Sequence, residues 1–239
     1  MRKDNRKHRP GNKLRRRFVA LTIGLCLCLT TRAQMGEQYY NLAVGINGGV
    51  NVNNVSFSPS VRQKKLLGAN CGVTLRYISE KYFAVACGAQ VEINLSQHGW
   101  SESYEDFPQL QYTRKMNYVE IPFLAHIAYG RDKGMRIFLN LGPQIGFLVN
   151  DKRAQSGNWE DVTEGIVEQH EKRIENRFDY GITGGLGAEL RTKAGNFIVE
   201  GRYYYGLADF YNSTKKDYFA RSAHNTIVAK VTHLFDLTH

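Results

Sequence analysis

The chain has little that would suit a helical membrane protein or a common soluble enzyme. Beyond residue 33 it holds no apolar run that approaches the roughly 20 residues of a transmembrane helix. It contains no GxSxG nucleophile elbow. Only Cys71 and Cys87 follow residue 33, and they form neither a CxxC pair nor a zinc pattern. We interpret both cysteines as small apolar residues rather than a disulfide.

The first 33 residues read as a targeting segment. A basic stretch precedes the apolar run Phe18–Leu29, and Thr31-Arg32-Ala33 supplies small residues for a signal peptidase. The sequence therefore predicts a signal peptide over residues 1–33 and a mature domain over residues 34–239. A retained helix would need a longer apolar run. A lipoprotein signal would use Cys26 or Cys28, but each follows a leucine.

Net charge does not indicate a nucleic-acid partner. The segment before Gln34 holds 10 of the 32 basic residues and one of the 22 acidic residues, which leaves 22 against 21. The positive charge of the whole chain thus belongs to the leader, and a nearly neutral domain gives no electrostatic reason to bind nucleic acid.

The mature chain shows period-two alternation of apolar residues, which is a strand signal. It is clearest in NYVEIPFLAHIAYG and MRIFLNLGPQIGFLV, which span Asn117 to Val149. Eight such segments are predicted to be strands, at 39–50, 66–78, 82–95, 117–130, 136–149, 178–191, 196–206 and 225–235. Short turns alternate with four long connections, at 51–65, 96–108, 151–177 and 207–222. Bacterial barrels have short periplasmic turns and long outer loops. The pattern therefore predicts an all-β fold, an eight-stranded antiparallel up-and-down transmembrane β-barrel with four long outer loops.

Aromatic residues on the apolar parity support a membrane interface. One set falls at the expected periplasmic ends of the strands: Tyr40, Tyr77, Phe83, Tyr129, Phe197 and Phe235. Amphipathic rings favour the boundary between lipid and water, so we expect these six to form an aromatic girdle.

Charged residues on the opposite parity should face the lumen. They are Arg76, Glu92, Glu120, Arg136, Glu189, Glu200, Arg202 and Lys230. The interior of an eight-stranded barrel is filled by side chains, and charges there must pair. Four acids against four bases favour a structural, salt-bridged plug. His126 shares the inward parity and is left out of this count. A proton or ion path is the alternative.

Few residues suggest chemistry. Ser101, Ser103, His98 and Asp106 share one outer loop, and such residues could serve a rim hydrolase or acyltransferase. Within 151–177 an amphipathic helix is expected, where Glu164, Glu168 and His170 resemble metal ligands but suit a solvated face better. The glycine-rich GITGGLG lies inside strand alternation, so it does not indicate a nucleotide loop. We predict no catalytic residue, no cofactor and no metal.

Three segments carry a family resemblance. They are YVEIPFLAHI, LNLGPQIGFLV and FDYGITGGLGAEL, and the early LAVGINGGVNV fits as well. With them the chain resembles the PorT-like outer-membrane β-barrel family of Bacteroidetes over nearly all its mature length. The resemblance implies a Gram-negative outer membrane but no shared catalytic residue. One member of that family is implicated in secretion of cargo proteins. The end of this chain departs from many barrels, because Asp-Leu-Thr-His follows Phe235.

The sequence therefore predicts a non-enzymatic barrel of structural or interaction type. Its expected partners are outer-membrane lipid, the barrel insertion machinery and a protein docked through outer loops or periplasmic turns. Candidate contacts for that protein are aromatic residues of the outer loops, Trp100, Tyr104, Phe107, Trp159, Phe210, Tyr211 and Tyr218. The alternatives are a rim enzyme and a component of a protein secretion apparatus.

Overall fold

The computed structural model describes residues 37–103, 110–131, 134–157, 170, 173–211 and 220–238. Within these ranges the strands are β1 (Glu37–Ser58), β2 (Gln63–Lys64), β3 (Leu66–Tyr82), β4 (Val85–Ser103), β5 (Gln111–Gly130), β6 (Gly134–Ser156), β7 (Phe178–Thr192), β8 (Gly195–Gly206) and β9 (Arg221–Asp236). The expected signal peptide, its cleavage site and most of the expected 151–177 helix lie outside the described residues. No helix in the described part of the chain has the length and apolar character that crossing a membrane requires.

Eight of these strands form a closed antiparallel ring. Each pairs with its neighbours along the chain, and β1 closes on β9 over the register Ala43↔Asp236 to Ser58↔Arg221. The ladder between β4 and β5 runs from Val85↔Tyr129 to Ser103↔Gln111. The two-residue β2 pairs only with the outer end of β4. The eight-stranded up-and-down barrel is therefore confirmed.

Side chains alternate between the two faces of the wall, except at three register shifts in the ladders of β1–β3, β3–β4 and β5–β6. Along β8, for example, Ile198 is 3% exposed whereas Val199 is 63% exposed. Exposed leucine, isoleucine, valine and aromatic residues recur on the outer face of all eight ring strands. An outward apolar band flanked by aromatic residues is the lipid-facing surface of a transmembrane barrel. We call this band the apolar belt; its outer limit is Val50 on β1, Leu95 on β4, Val119 on β5 and Val149 on β6.

Several strands extend well past this belt, which corrects the predicted loops. Residues 51–58, 96–103 and 151–156 are strand, and β9 already begins at Arg221. We call the portions beyond the belt the outer extension: 53–58, 96–103, 111–118, 150–156 and 221–225. Here the pattern inverts, because the outer face meets water. Asn54 and Lys115 point outward, whereas Val55, Trp100 and Met116 are buried inside. A prediction based on outward apolar residues therefore ends these strands at the outer limit of the belt, although they continue beyond it.

The other end of the barrel carries the short turns. Connections of a few residues join β3 to β4, β5 to β6 and β7 to β8. Gly134 and Gly195 stand beside two of them with φ of 107° and 120°, values that glycine adopts without strain. Because bacterial barrels place short turns in the periplasm, this end is periplasmic and the outer extension lies outside the cell.

Candidate functional site

The barrel interior holds most of the residues that the sequence singles out, and it is organised in levels. Nearest the periplasm, Arg76 on β3 makes two parallel hydrogen bonds to the Glu189 carboxylate on β7, of 2.9 and 2.8 Å. Neither side chain is exposed. A bidentate guanidinium–carboxylate pair is among the strongest polar contacts available to a protein. It joins strands on opposite sides of the ring and so fills the lumen at this level.

The central level is a four-membered charge network around Glu92. Arg202 donates to Glu92 with bonds of 3.0 and 2.9 Å, and Lys230 donates with bonds of 2.8 and 2.7 Å. Arg202 also contacts Glu200 at 2.9 Å, and Glu200 accepts a bond of 3.0 Å from Asn140. Two acids and two bases thus balance one another. Such balance is what allows ionised groups to be buried.

The amides around Glu92 complete its hydrogen bonding. Gln90 and Asn94, which lie two residues away on the same inward face of β4, donate bonds of 2.6 and 2.9 Å to the Glu92 carboxylate. A cavity beside the network, lined partly by Asn94, Glu120 and Arg202, has a volume of about 10 Å³. This is near the minimum that one water molecule requires. Side chains therefore fill the lumen at this level.

All eight predicted lumen residues lie buried inside the barrel, but they do not form one network. Arg136 lies near the periplasmic turn, where its Nε donates to the Arg131 carbonyl at 2.9 Å. Glu120 belongs to the next level up, with His98. His126, which shares the inward parity, is buried against Asn140, with a distance of 2.7 Å between Nδ1 and Oδ1.

His98 is the centre of the third level. Its Nε2 lies 2.6 Å from Glu120 Oε1 and 3.0 Å from Ser96 Oγ, and its Nδ1 lies 3.1 Å from Thr226 Oγ1. A hydroxyl and a carboxylate on opposite ring nitrogens resemble the layout of a nucleophile, base and orienting acid. Thr226, however, donates to Asn53 Oδ1 at 3.1 Å, and the adjacent cavity has room for about one water. The arrangement suits packing better than substrate binding.

The rim group predicted from Ser101 and His98 is not assembled. Ser101 faces outward, where its hydroxyl lies 3.0 Å from Thr113 Oγ1, whereas His98 faces the lumen. The two residues are three positions apart on a strand, and odd spacing sends their side chains to opposite faces. The side chain of Ser103 and all of Asp106 lie outside the described residues. Ser101 and His98 therefore do not form a local Ser–His pair.

Inside the outer extension lies an aromatic cap that the sequence reasoning missed. The cap consists of Phe57, Trp100, Tyr112, Phe210 and Tyr211. Trp100 stacks on Phe210 at a ring distance of 5.7 Å, and Phe57 meets Trp100 edge-on at 5.1 Å. Trp100, Phe210 and Tyr211 had been expected as exposed docking contacts, but they are only 2–3% exposed. Tyr104, Phe107, Trp159 and Tyr218 lie outside the described residues.

Arg114 links the cap to the barrel wall. Its guanidinium donates to the Tyr211 hydroxyl at 2.7 Å and to Asp151 Oδ2 at 2.6 Å. It also lies 5.9 Å from the centre of the Trp100 ring, within the range of a cation–π contact. Burial raises the pKa of Tyr211, although the charge of Arg114 opposes the shift. The phenol therefore stays neutral.

Parity could have revealed the cap. Trp100 lies eight positions after Glu92 on β4, and Tyr112 lies eight positions before Glu120 on β5. An even spacing along a strand keeps the same face. Extending the inward parity beyond the belt therefore puts both rings in the lumen. Phe210 and Tyr211 follow β8 in a non-repetitive segment, for which periodicity gives no signal.

The structure locates the residues of the predicted girdle and one of the three residues that resemble metal ligands. Five of the six girdle residues are on the outer face of the strands, from 41% exposed for Tyr77 to 59% for Tyr129. Phe83 lies in the turn between β3 and β4 and is 98% exposed. His170 Nε2 lies 2.9 Å from Glu102 Oε2, while Glu164 and Glu168 lie outside the described residues. Among the residues that can be described, no cluster of three or more potential metal ligands occurs. Cys71 and Cys87 are both free thiols.

Several solved structures of outer-membrane proteins show a distant similarity to this chain. Similar solved structures include OprG from Pseudomonas aeruginosa, which is 8% identical with a TM-score of 0.46 over 84% of this chain and 98% of that one. The outer membrane enzyme PagL is 7% identical, with a TM-score of 0.47 over 80% and 98%. Ail of Yersinia pestis is 11% identical, with a TM-score of 0.35 over 81% and 98%. At these TM-scores the likeness carries no argument about fold or activity. No curated protein sequence matches the chain.

A family model provides the stronger relation. The model described as "Outer membrane protein beta-barrel domain" matches residues 32–212. That match spans most of the chain and includes every ring strand except β9. The protein therefore belongs to the outer membrane protein beta-barrel domain family, and its place is the outer membrane.

Proposed function

We propose that this protein is a non-enzymatic interaction barrel whose outer extension binds a protein partner outside the cell. The observation that carries the proposal is the rigid construction of that extension. Strand β5 is paired with both of its neighbours as far as its outermost residue, Gln111. This residue pairs with Ser103 on β4 and with Ser156 on β6. The aromatic cap packs the inside. A surface that is already ordered loses little conformational entropy on binding, which favours recognition.

The contacts we propose differ from those expected from the sequence. Because Trp100, Phe210 and Tyr211 are buried in the cap, they stabilise the extension rather than touch a partner. The outward side chains are polar, as at Asn54 and Asn150. Hydrogen-bonding side chains on a fixed wall suit a polar protein surface.

Two features support the absence of catalysis. The nearest serine of the rim group, Ser101, is on the opposite face of β4 from His98. His98 itself is 2% exposed, and the space beside it admits about one water. A base enclosed in this way has no room for a lipid or peptide substrate.

Within the family, we propose a relationship to the PorT-like barrels. The three main motifs of the resemblance lie on the adjacent strands β5, β6 and β7. They therefore belong to one continuous part of the wall. A role in a protein secretion apparatus is the alternative function. It would engage periplasmic turns as well as the outer extension, which makes the two roles separable by position. The cleaved signal peptide remains part of this proposal.

Site-specific crosslinking in intact outer membranes tests the proposal. A photoactivatable residue is placed at Asn54 or Asn150 on the outer extension, and at Lys193 in the periplasmic β7–β8 turn as the matched exposed control. We expect one discrete protein adduct from the outer positions and none from Lys193. Adducts from Lys193 to secretion components would favour the alternative. Absence of outer adducts, together with fatty-acid or peptide release that His98→Ala abolishes, would show that the protein is an enzyme.

A further inference from the structure

Two lysines stand directly opposite each other on the outer face, just beyond the apolar belt. The register of β5 and β6 pairs Lys115 with Lys152, and both side chains are exposed. Like charges directly opposite in an antiparallel pair destabilise a sheet. A residue pair that costs stability in the isolated protein is a reason to look for a negatively charged ligand.

The cross-strand neighbours of the pair on β4, β5 and β6 include no acid. The neighbouring rows of β5 and β6 present Thr113 and Ala154 above the lysines and Asn117 and Asn150 below them. On the other side, β4 presents Gly99, which has no side chain. The nearest acid along the chain, Asp151, points to the interior, where it accepts a hydrogen bond from Arg114 at 2.6 Å.

The pair lies within side-chain reach of the lipid headgroups. Lys115 lies four residues beyond Val119, the last belt residue of β5. At about 3.4 Å per residue and a strand tilt of about 40°, this is roughly 10 Å above the hydrocarbon. The headgroup layer adds about 5–7 Å on each side of a bilayer. A lysine can extend its long side chain back to that layer.

From this geometry we propose that Lys115 and Lys152 form a binding site for the phosphate groups of a phosphorylated glycolipid in the outer leaflet. The two ammonium groups neutralise phosphate charge. The side-chain amides of Asn117 and Asn150, one row nearer the membrane, donate hydrogen bonds to phosphate or sugar oxygens. The site lies on the membrane-proximal part of the outer extension and shares Asn150 with the proposed partner surface. Lipid binding by the purified barrel can nevertheless be measured without the protein partner.

Native mass spectrometry of the refolded full-length barrel measures this binding directly. The probe is bisphosphorylated lipid A, with a dephosphorylated lipid A and inorganic phosphate as comparisons. The test variant is K115Q/K152Q. The matched control is R131Q/K193Q, which removes two exposed positive charges from the periplasmic turns. The charge-retaining variant K115R/K152R separates lost charge from altered packing.

Each juxtamembrane lysine near an anionic surface contributes on the order of fivefold in affinity. We therefore expect K115Q/K152Q to weaken binding of bisphosphorylated lipid A by roughly 25-fold, with K115R/K152R and R131Q/K193Q close to the unmodified protein. Dephosphorylated lipid A should bind equally to all variants. Equal loss in K115Q/K152Q and R131Q/K193Q, or no loss in either, would overturn the site. Inorganic phosphate binding that K115Q/K152Q abolishes without any change for the lipid would also overturn it.

Discussion

The central charge network should be strongly coupled, and Glu92 is the place to test this. In Glu92→Gln, the cations Arg202 and Lys230 remain buried with Glu200 as their only carboxylate in this network, so its net charge becomes +1. In Lys230→Met, two carboxylates face Arg202 alone, and the net charge becomes −1. In the double variant, Arg202 and Glu200 remain as a matched pair with contacts of 3.0 and 2.9 Å.

The expected changes in the free energy of unfolding follow from these net charges. Removing one partner of a buried ion pair costs about 3–5 kcal/mol, because a charge is left uncompensated. Each single substitution should therefore lower the free energy of unfolding by about that amount. The double variant restores neutrality. It should cost about as much as one single substitution, which corresponds to a coupling energy of about 3–5 kcal/mol.

Equilibrium urea unfolding in phospholipid vesicles, followed by tryptophan fluorescence, measures the four species of this cycle. The control combines Glu92→Gln with Asp236→Asn at the periplasmic end of β9, where Asp236 bonds to Arg191. Those two effects should add within about 0.5 kcal/mol, as distant sites do. Additive effects for Glu92→Gln and Lys230→Met would refute the account of a neutral, coupled network.

Further outcomes follow from the packing of the wall and the cap. Gly187→Ala should lower stability by about 1–3 kcal/mol through overpacking, because its new Cβ would lie 2.3 Å from Phe138 Cζ and 2.5 Å from the Val199 carbonyl. Gly201→Ala is the control, since nothing lies within 4 Å of its Cβ position, and equal unfolding midpoints for the two would contradict the argument. Tyr211→Phe should cost about 1–3 kcal/mol, because the Arg114 guanidinium loses an acceptor at 2.7 Å. Tyr205→Phe, which removes an exposed contact to Arg221, should change the unfolding free energy by under about 0.5 kcal/mol, and the reverse order of the two effects would show that the cap does not support the extension.

The membrane-spanning part of this fold could be predicted because lipid and lumen impose opposite demands on alternate residues. Val119, Ile121 and Phe123 face outward, while Glu120 and Pro122 face inward, so the sequence itself records the parity. Given that parity, the lumen location of Glu92 and Arg202 follows from even spacing along their strands. The closure of β1 on β9 follows from the even number of strands.

The outer extension could not be predicted by the same reasoning. Beyond the belt the outer face contacts water instead of lipid, and the inner face is packed with aromatic rings. Outward polar residues such as Asn54 therefore suggest a loop, and inward residues such as Trp100 suggest exposed aromatic residues of that loop. The sequence also does not indicate which lumen charges form ion pairs with each other. Arg76 bonds to Glu189 across 113 residues, and Lys230 bonds to Glu92 across 138. Parity gives the face of each residue, but only the closed ring brings distant strands opposite one another.

The conductance of the refolded protein in planar lipid bilayers tests the filled lumen most directly. The bidentate Arg76–Glu189 pair and the network around Glu92 fill the lumen within the membrane, and the aromatic cap fills it within the outer extension. We therefore predict no stable, large conductance, and brief openings at most in the Glu92→Gln variant. A reproducible conductance of porin size from the unmodified protein would contradict this account, and it would make Arg76, Glu92, Glu120 and Arg136 selectivity residues of an open pore.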